Sequence, residues 1–258
     1  MENNLNIVFF GTPDFAMPVL EALVKNGYNV FHFQSKSLKD EEVFEDFKKL
    51  NPDLCVVAAY GKIIPPRYLN IPKYGFVNVH PSLLPKYRGP SPVQTAILNG
   101  NKETGATIMV VDNEVDHGPI LSSIKYKVSS IKYNEEITGD LFKLGAELLI
   151  ETLPKYISGE IKPEPQDHSQ ATFTKMFSRE DARINWSRTS QEIYNQIRAL
   201  NPEPGTWTMW KGKIINIRKA ELADGKLKIE TIQIEGKRET PFREFLNGYP
   251  DFDVSQLN

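Results

Sequence analysis

Residues 54–59 read LCVVAA and residues 75–80 read GFVNVH, and these two runs decide the fold. A strand with one face in water alternates apolar and polar residues. Six residues without a polar position mark instead a parallel strand covered on both faces. The second run begins in the same way but carries Asn78 and His80 at its C-terminal end. Working outward, NIVFFG at 6–11 is another short apolar run, closed by Gly11. Thr12-Pro13-Asp14 follows, then apolar residues at helical spacing over 15–25, with Thr12 expected as N-cap and Pro13 as first helical residue. A strand is expected at 29–33. A helix at 41–50 has Val43, Phe44, Phe47 and Leu50 on one face. Strands at 107–111 and 120–126 and a long helix at 137–157 complete the series. Strands alternating with helices predict an α/β protein with an open, mostly parallel, Rossmann-like sheet. Ligands of such sheets bind beyond the carboxyl ends of the strands, where Asn78 and His80 lie.

After Gly159 the pattern changes. Residues 161–170 are polar, contain Pro163 and Pro165, and read as an extended connector. A helix at 190–200, with Ile193, Ile197 and Leu200 on one face, is stopped by 201–205, NPEPG. Short strands at 206–210, 214–219 and 226–233 are separated by Gly212 and Asp224-Gly225. The expected division is an α/β domain over 1–160, a connector and linker helix over 161–205, and a small β-rich domain over 206–258.

Composition narrows the function classes. Cys55 is the single cysteine, which excludes an intramolecular disulfide and fits a reducing compartment. No apolar stretch approaches the roughly 20 residues of a membrane helix, and 1–6 is polar, so a cytoplasmic protein without membrane contact is expected. The net charge of −2 argues against a nucleic-acid coat, yet residues 171–219 hold nine basic and four acidic side chains. That local excess suits either a phosphate backbone or an ordinary solvated surface. The four scattered histidines predict no metal site.

The candidate chemistry lies in 78–92, NVHPSLLPKYRGPSP. Residues i and i+2 of a strand face the same way, so Asn78 and His80 project together. An Asn amide donates to a developing oxyanion, and a His near neutrality takes up or relays a proton. Taken alone, Asn-x-His is a weak signal, and a single histidine at a strand end is more often structural. Pro81, Pro85, Pro90 and Pro92 stiffen the loop that follows, as a positioning device would. A carboxylate to orient the histidine is available in 112–119, DNEVDHGP. Spacing alone does not separate its aspartates from ordinary turn residues.

These two stretches, extended to 78–100 and 103–121, resemble the signature region of the 10-formyltetrahydrofolate-dependent formyltransferases. The resemblance implies Asn78, His80 and Asp116 as catalytic residues for attack of a substrate amine on the formyl carbon. It implies Ser82, Leu83, Leu84 and Pro85, together with Tyr60, Gly61 and Ile63, as the folate site. It also implies Gly11, Thr12, Arg88 and Gly89 as acceptor contacts. Acceptors in the family range from glycinamide ribonucleotide and amino-sugar nucleotides to methionyl-tRNA. Residues 181–208 and 235–252 are similar to the branch that formylates initiator methionyl-tRNA, and with it come the expectations of a reduced OB-like barrel and a monomer.

Two segments depart from the family pattern. The long basic loop that family members carry after the second strand, their contact with the tRNA acceptor end, is missing here, with roughly thirty residues absent. The C-terminal domain is about half the family's length. Formylation of a smaller amine, such as an amino-sugar nucleotide, and a non-catalytic RNA-binding role therefore stand as alternatives.

Overall fold

Successive residues of a strand face opposite ways, and in β1 (Asn6–Gly11) this sorts Ile7 and Phe9 into one apolar layer and Val8 and Phe10 into another. The computed structural model, which describes residues 5–35 and 37–254, continues through α1 (Met17–Lys25), β2 (Asn29–His32), α2 (Glu41–Lys49) and β3 (Leu54–Ala58). Next come a single turn, α3 (Pro66–Leu69), then β4 (Phe76–His80) and α4 (Pro92–Leu98). β5 (Glu103–Val110), β6 (Ile120–Lys127) and the long α5 (Asn134–Ile157) follow. Every residue of β3 is buried, as its unbroken apolar run requires. Val56 and Ala58 join the layer held by Val19 and Leu23 of α1 and by Phe142, Ala146, Leu149 and Leu153 of α5. Cys55 and Val57 join the layer held by Phe47 of α2 and Tyr68 of α3.

The six strands run in the order β2-β1-β3-β4-β5-β6. The first four are mutually parallel, β5 is antiparallel to β4, and β6 is antiparallel to β5. Gly11 pairs with Ala58 and Val57 with Asn78, so the carboxyl ends of β1, β3 and β4 meet at one edge. The expected open, mostly parallel sheet is the one observed.

The chain divides into two compact units. The first takes in the chain up to Pro92, Glu103–Lys127 and Thr138–Thr174. The second takes in Val93–Lys102, Val128–Ile137 and the chain from Lys175 onward. In the second unit α6 (Ser190–Leu200) starts on a capping box: Thr189 accepts from the Glu192 backbone, and the Glu192 carboxylate accepts from the Thr189 backbone. β7 (Trp207–Trp210), β8 (Lys213–Ala223), β9 (Lys226–Ile234) and β10 (Thr240–Pro241) form an antiparallel meander in the order β10-β9-β8-β7, followed by α7 (Phe242–Gly248). Ile193 and Ile197 of α6 pack on Ile215, Ile217 and Ile232 of the meander and on Phe245 of α7. Trp207 is buried, and Trp210 packs edge-on against Tyr249 and Phe252. Both tryptophans thus serve the core.

Three local expectations change. Thr12 caps no helix, because Pro13 precedes a 3-10 turn over Asp14–Ala16 and α1 begins only at Met17. Pro18 has no N–H with which to reach the Asp14 carbonyl, so the α-ladder cannot start any earlier. β5 starts at Glu103, earlier than its apolar run suggests, because pairing with Lys127 of β6 extends it through a polar end. The basic excess of 171–219 is partly internal. Arg198 is buried and donates to the Ser129 and Lys132 carbonyls and to Asn195, while Arg179 donates to the Pro204 and Gly205 carbonyls and to Asn216.

Candidate active site

Asn78 and His80 leave β4 on the same side, and the 112–119 loop brings Asp116 to both. Asp116 Oδ1 lies 3.5 Å from Asn78 Nδ2 and 3.6 Å from His80 Nδ1. Asp116 Oδ2 accepts the Gly89 amide at 2.7 Å. The end of β4 and the loop that follows it thus meet the Asp116 carboxylate, which is 14% exposed; the His80 ring is 6% exposed. The second ring nitrogen of His80, Nε2, is 3.0 Å from the Tyr87 carbonyl. A carbonyl only accepts, so Nε2 carries a hydrogen and Nδ1 is left as the nitrogen that exchanges a proton. Asp116 beside Nδ1 offsets the charge that the ring gains on protonation.

Backbone conformation aims these groups. Tyr87 has φ +62° and Asp116 φ +49°, both left-handed. A residue other than glycine adopts that region at a cost of about 1–2 kcal/mol, with aspartate among the more tolerant. Thr172 Oγ1 accepts the Tyr87 amide at 2.8 Å and the Thr172 carbonyl accepts the Arg88 amide at 2.9 Å; the second bond fixes the peptide that carries the Tyr87 carbonyl toward His80. The other aspartate of the loop, Asp112, turns to His117, with Oδ2 2.6 Å from Nδ1.

The 81–91 loop is fastened beneath the site. Ser82 is fully buried: its hydroxyl donates to the Lys86 carbonyl at 2.7 Å, and its own carbonyl accepts from Thr107 at 2.6 Å. Leu84 is buried and gives its amide to Thr107, Leu83 lies against Gly105, and Pro85 follows a cis bond. On the neighbouring strand end, Tyr60 is buried with no partner for its hydroxyl among the described residues, and burial, followed by the charge of Tyr68, raises its phenol above the ordinary range. Gly61 turns the chain at φ +71°, and Ile63 is 80% exposed. Gly11 closes β1 and Thr12 is exposed. Arg88 is buried, and its guanidinium is held by Gln166 and His168. The sequence reading did not anticipate Tyr87, Thr107, Gln166 or Thr172. Each acts through a backbone or amide contact that no local pattern announces.

An amide donor, an imidazole and a carboxylate gathered at the carboxyl edge of a Rossmann-like sheet are groups able to stabilise an oxyanion and move a proton, as a group-transfer enzyme requires. Residues 9–153 match the family described as formyl transferase, and residues 176–226 match the formyl transferase C-terminal domain. A methionyl-tRNA formyltransferase from Chloroflexus aurantiacus is 40% identical over 250 residues, spanning 85% of this chain and 81% of the relative. The methionyl-tRNA formyltransferase structure from Clostridium thermocellum superposes with a TM-score of 0.72 at 22% identity, covering 89% of this chain and 98% of that one. HypX from Aquifex aeolicus gives 0.79 at 17% identity over 96% of this chain, which spans about half of HypX. The chain belongs to the formyl transferase family, within its methionyl-tRNA formyltransferase branch, and is a formyltransferase enzyme.

Proposed function

We propose that this enzyme moves the formyl group of 10-formyltetrahydrofolate to the free amino group of initiator methionyl-tRNA, as a cytoplasmic monomer serving translation initiation. The observation that carries the reading is the convergence of Asn78, His80 and Asp116 on one point. His80 Nδ1 takes a proton from the attacking amine, and the amine nitrogen forms a bond to the formyl carbon. Asn78 Nδ2 donates to the oxyanion of the tetrahedral carbon. His80 returns the proton to the folate N10 as the N10–C bond breaks, leaving tetrahydrofolate and the formylated amine. Asp116 holds the imidazolium in place. The turn at Tyr60, Gly61 and Ile63 and the loop Ser82–Leu83–Leu84–Pro85 border the same sheet edge and would hold the folate. Gly11, Thr12, Arg88 and Gly89 are the proposed acceptor side, with Arg88 acting through the loop it fastens. Residues 1–160 would supply the chemistry, 161–205 the connection and 206–258 the β-rich domain.

Only eight residues, 33–40, join β2 to α2, so tRNA contacts must come from elsewhere in the chain. Purified protein is incubated with 10-formyltetrahydrofolate and either charged initiator tRNA or an amino-sugar nucleotide, and tetrahydrofolate release is followed. Turnover on the tRNA is expected. Turnover on the sugar alone overturns the assigned acceptor. His80→Ala should lower kcat by about 10²- to 10⁴-fold without unfolding the chain. A full rate in that variant removes the proton-transfer role.

A further inference from the structure

Residues 161–170, which read as a plain connector, are laced to the catalytic loops. Glu164 exchanges two backbone hydrogen bonds of 2.8 Å with Ile120. Two residues on, Gln166 is buried and uses its whole amide. Nε2 donates to the Asp116 carbonyl at 2.9 Å and to the Gly118 carbonyl at 2.7 Å. Oε1 accepts from Arg88 Nε at 3.2 Å and from Nη2 at 2.7 Å. Two acceptors on one side and a guanidinium on the other allow only one orientation of the amide. The segment continues with Thr172, whose Oγ1 and carbonyl accept the amides of Tyr87 and Arg88, and with Thr174, whose amide donates to the Arg88 carbonyl. Gln166 lies outside both stretches matched to the family, 9–153 and 176–226.

The two carbonyls that Gln166 holds belong to the Asp116–His117 and Gly118–Pro119 peptides, so neither of these peptides rotates without breaking a hydrogen bond. Asp116 must also be kept in a left-handed conformation while its carboxylate reaches the Gly89 amide, Asn78 and His80. We propose that Gln166 is a positioning residue of the reaction: through the Asp116 and Gly118 carbonyls it fixes the Asp116 carboxylate against His80. This rests on the formyl-transfer reading of Asn78, His80 and Asp116. The competing role is structural, with Gln166 serving only as the buried acceptor for Arg88.

Gln166→Glu separates the two. It keeps the length and the acceptor facing Arg88 but has no N–H for the Asp116 and Gly118 carbonyls. Displacing a catalytic group by about 1 Å costs up to about 10²-fold, so kcat should fall by about 10- to 100-fold while the KM values stay near wild type. In an Asp116→Asn background the same change should cost nothing further, because the two residues act as one unit. The Gly89 amide, whose partner is Asp116 Oδ2, should exchange its hydrogen about tenfold faster in Gln166→Glu. Should the carboxylate unfold the chain, Gln166→Met, which loses both sides of the amide, is compared with Arg88→Met, which loses only the guanidinium side. A clearly larger loss of kcat and faster Gly89 exchange in the first keeps the proposal, and equal effects overturn it. A wild-type kcat, an equal loss in both backgrounds, or unchanged Gly89 exchange overturns the proposal. If the wild-type protein transfers no formyl group, the reaction reading fails, while Gly89 exchange still decides whether Gln166 holds Asp116.

Discussion

Gly118 sets the geometry of the aspartate loop by having no side chain. A Cβ built there would lie 1.9 Å from the Val110 carbonyl oxygen, a backbone atom that sheet pairing holds in place. The space cannot open without moving either β5 or the loop itself. Gly118→Ala should therefore destabilise the first unit by about 2–3 kcal/mol and lower activity, since the Gly118 carbonyl is one of the two that Gln166 grips. Urea unfolding followed by fluorescence and by circular dichroism checks this; a midpoint equal to wild type would mean that the loop yields. Gly89 is constrained differently, by φ +103° together with a Cβ position 2.9 Å from Thr174 Oγ1. At this scale the sequence was half legible. The i, i+2 spacing placed Asn78 and His80 on one side of a strand end, which made them a plausible pair and no more. Asp112 and Asp116 look alike on paper and differ in the backbone: Asp112 pairs with His117 across five residues, whereas Asp116, left-handed, reaches His80 from thirty-six away. Only the family resemblance chose between them.

Elements whose signals are local matched their expected bounds, and α6 shows why. Thr189 and Glu192 close a capping box three residues apart, and Ile193, Ile197 and Leu200 repeat at helical spacing, so start and face are both written within twelve residues. Thr189→Ala should cost about 1 kcal/mol of stability in the second unit, read as a lower urea midpoint with an unchanged slope. A null effect would mean that tertiary packing, not the cap, sets the start of the helix. Shorter elements escaped. α4 opens on Pro92, which the sequence presents as the end of a proline-rich loop. α7 lies between Pro241 and Gly248, start and stop residues only seven apart. The connector escaped for a different reason: its contacts reach Ile120, Asp116, Gly118, Tyr87 and Arg88, so a polar stretch without period carries no sign of them. Arg198 shows the same limit, lying on a helix face that periodicity assigns to solvent yet buried against carbonyls of 129 and 132.

For the whole molecule, stability against pH follows from two groups of side chains displaced in opposite directions. Hydrogen bonds from Lys175 and Ser178 bring the Asp181 carboxyl down to about 2. Bonds from Ser169 and Gln170 lower Asp167, a bond from Thr189 lowers Glu192, and one from Lys211 lowers Asp251. Between about pH 4, where unfolded carboxylates titrate, and about pH 2, the unfolded chain binds protons that the folded one refuses. Stability is thus complete above that window and declines as pH falls through it. All four carboxylates are on the surface, so the decline should be shallow and should weaken further in salt. At the other extreme, burial raises the phenols of Tyr28, Tyr60, Tyr68, Tyr133, Tyr156 and Tyr194. Below about pH 10 both states keep those protons; above it only the folded chain does, so stability is lost as pH rises through the raised values. Unfolding midpoints across pH should therefore trace a plateau between two falling limbs. Asp181→Asn should flatten part of the acid limb and leave the alkaline one alone. Near-ultraviolet titration should show tyrosines of the native protein ionising above the range they show in the unfolded chain, and native ionisation wholly within that range would refute the assignment of the alkaline limb.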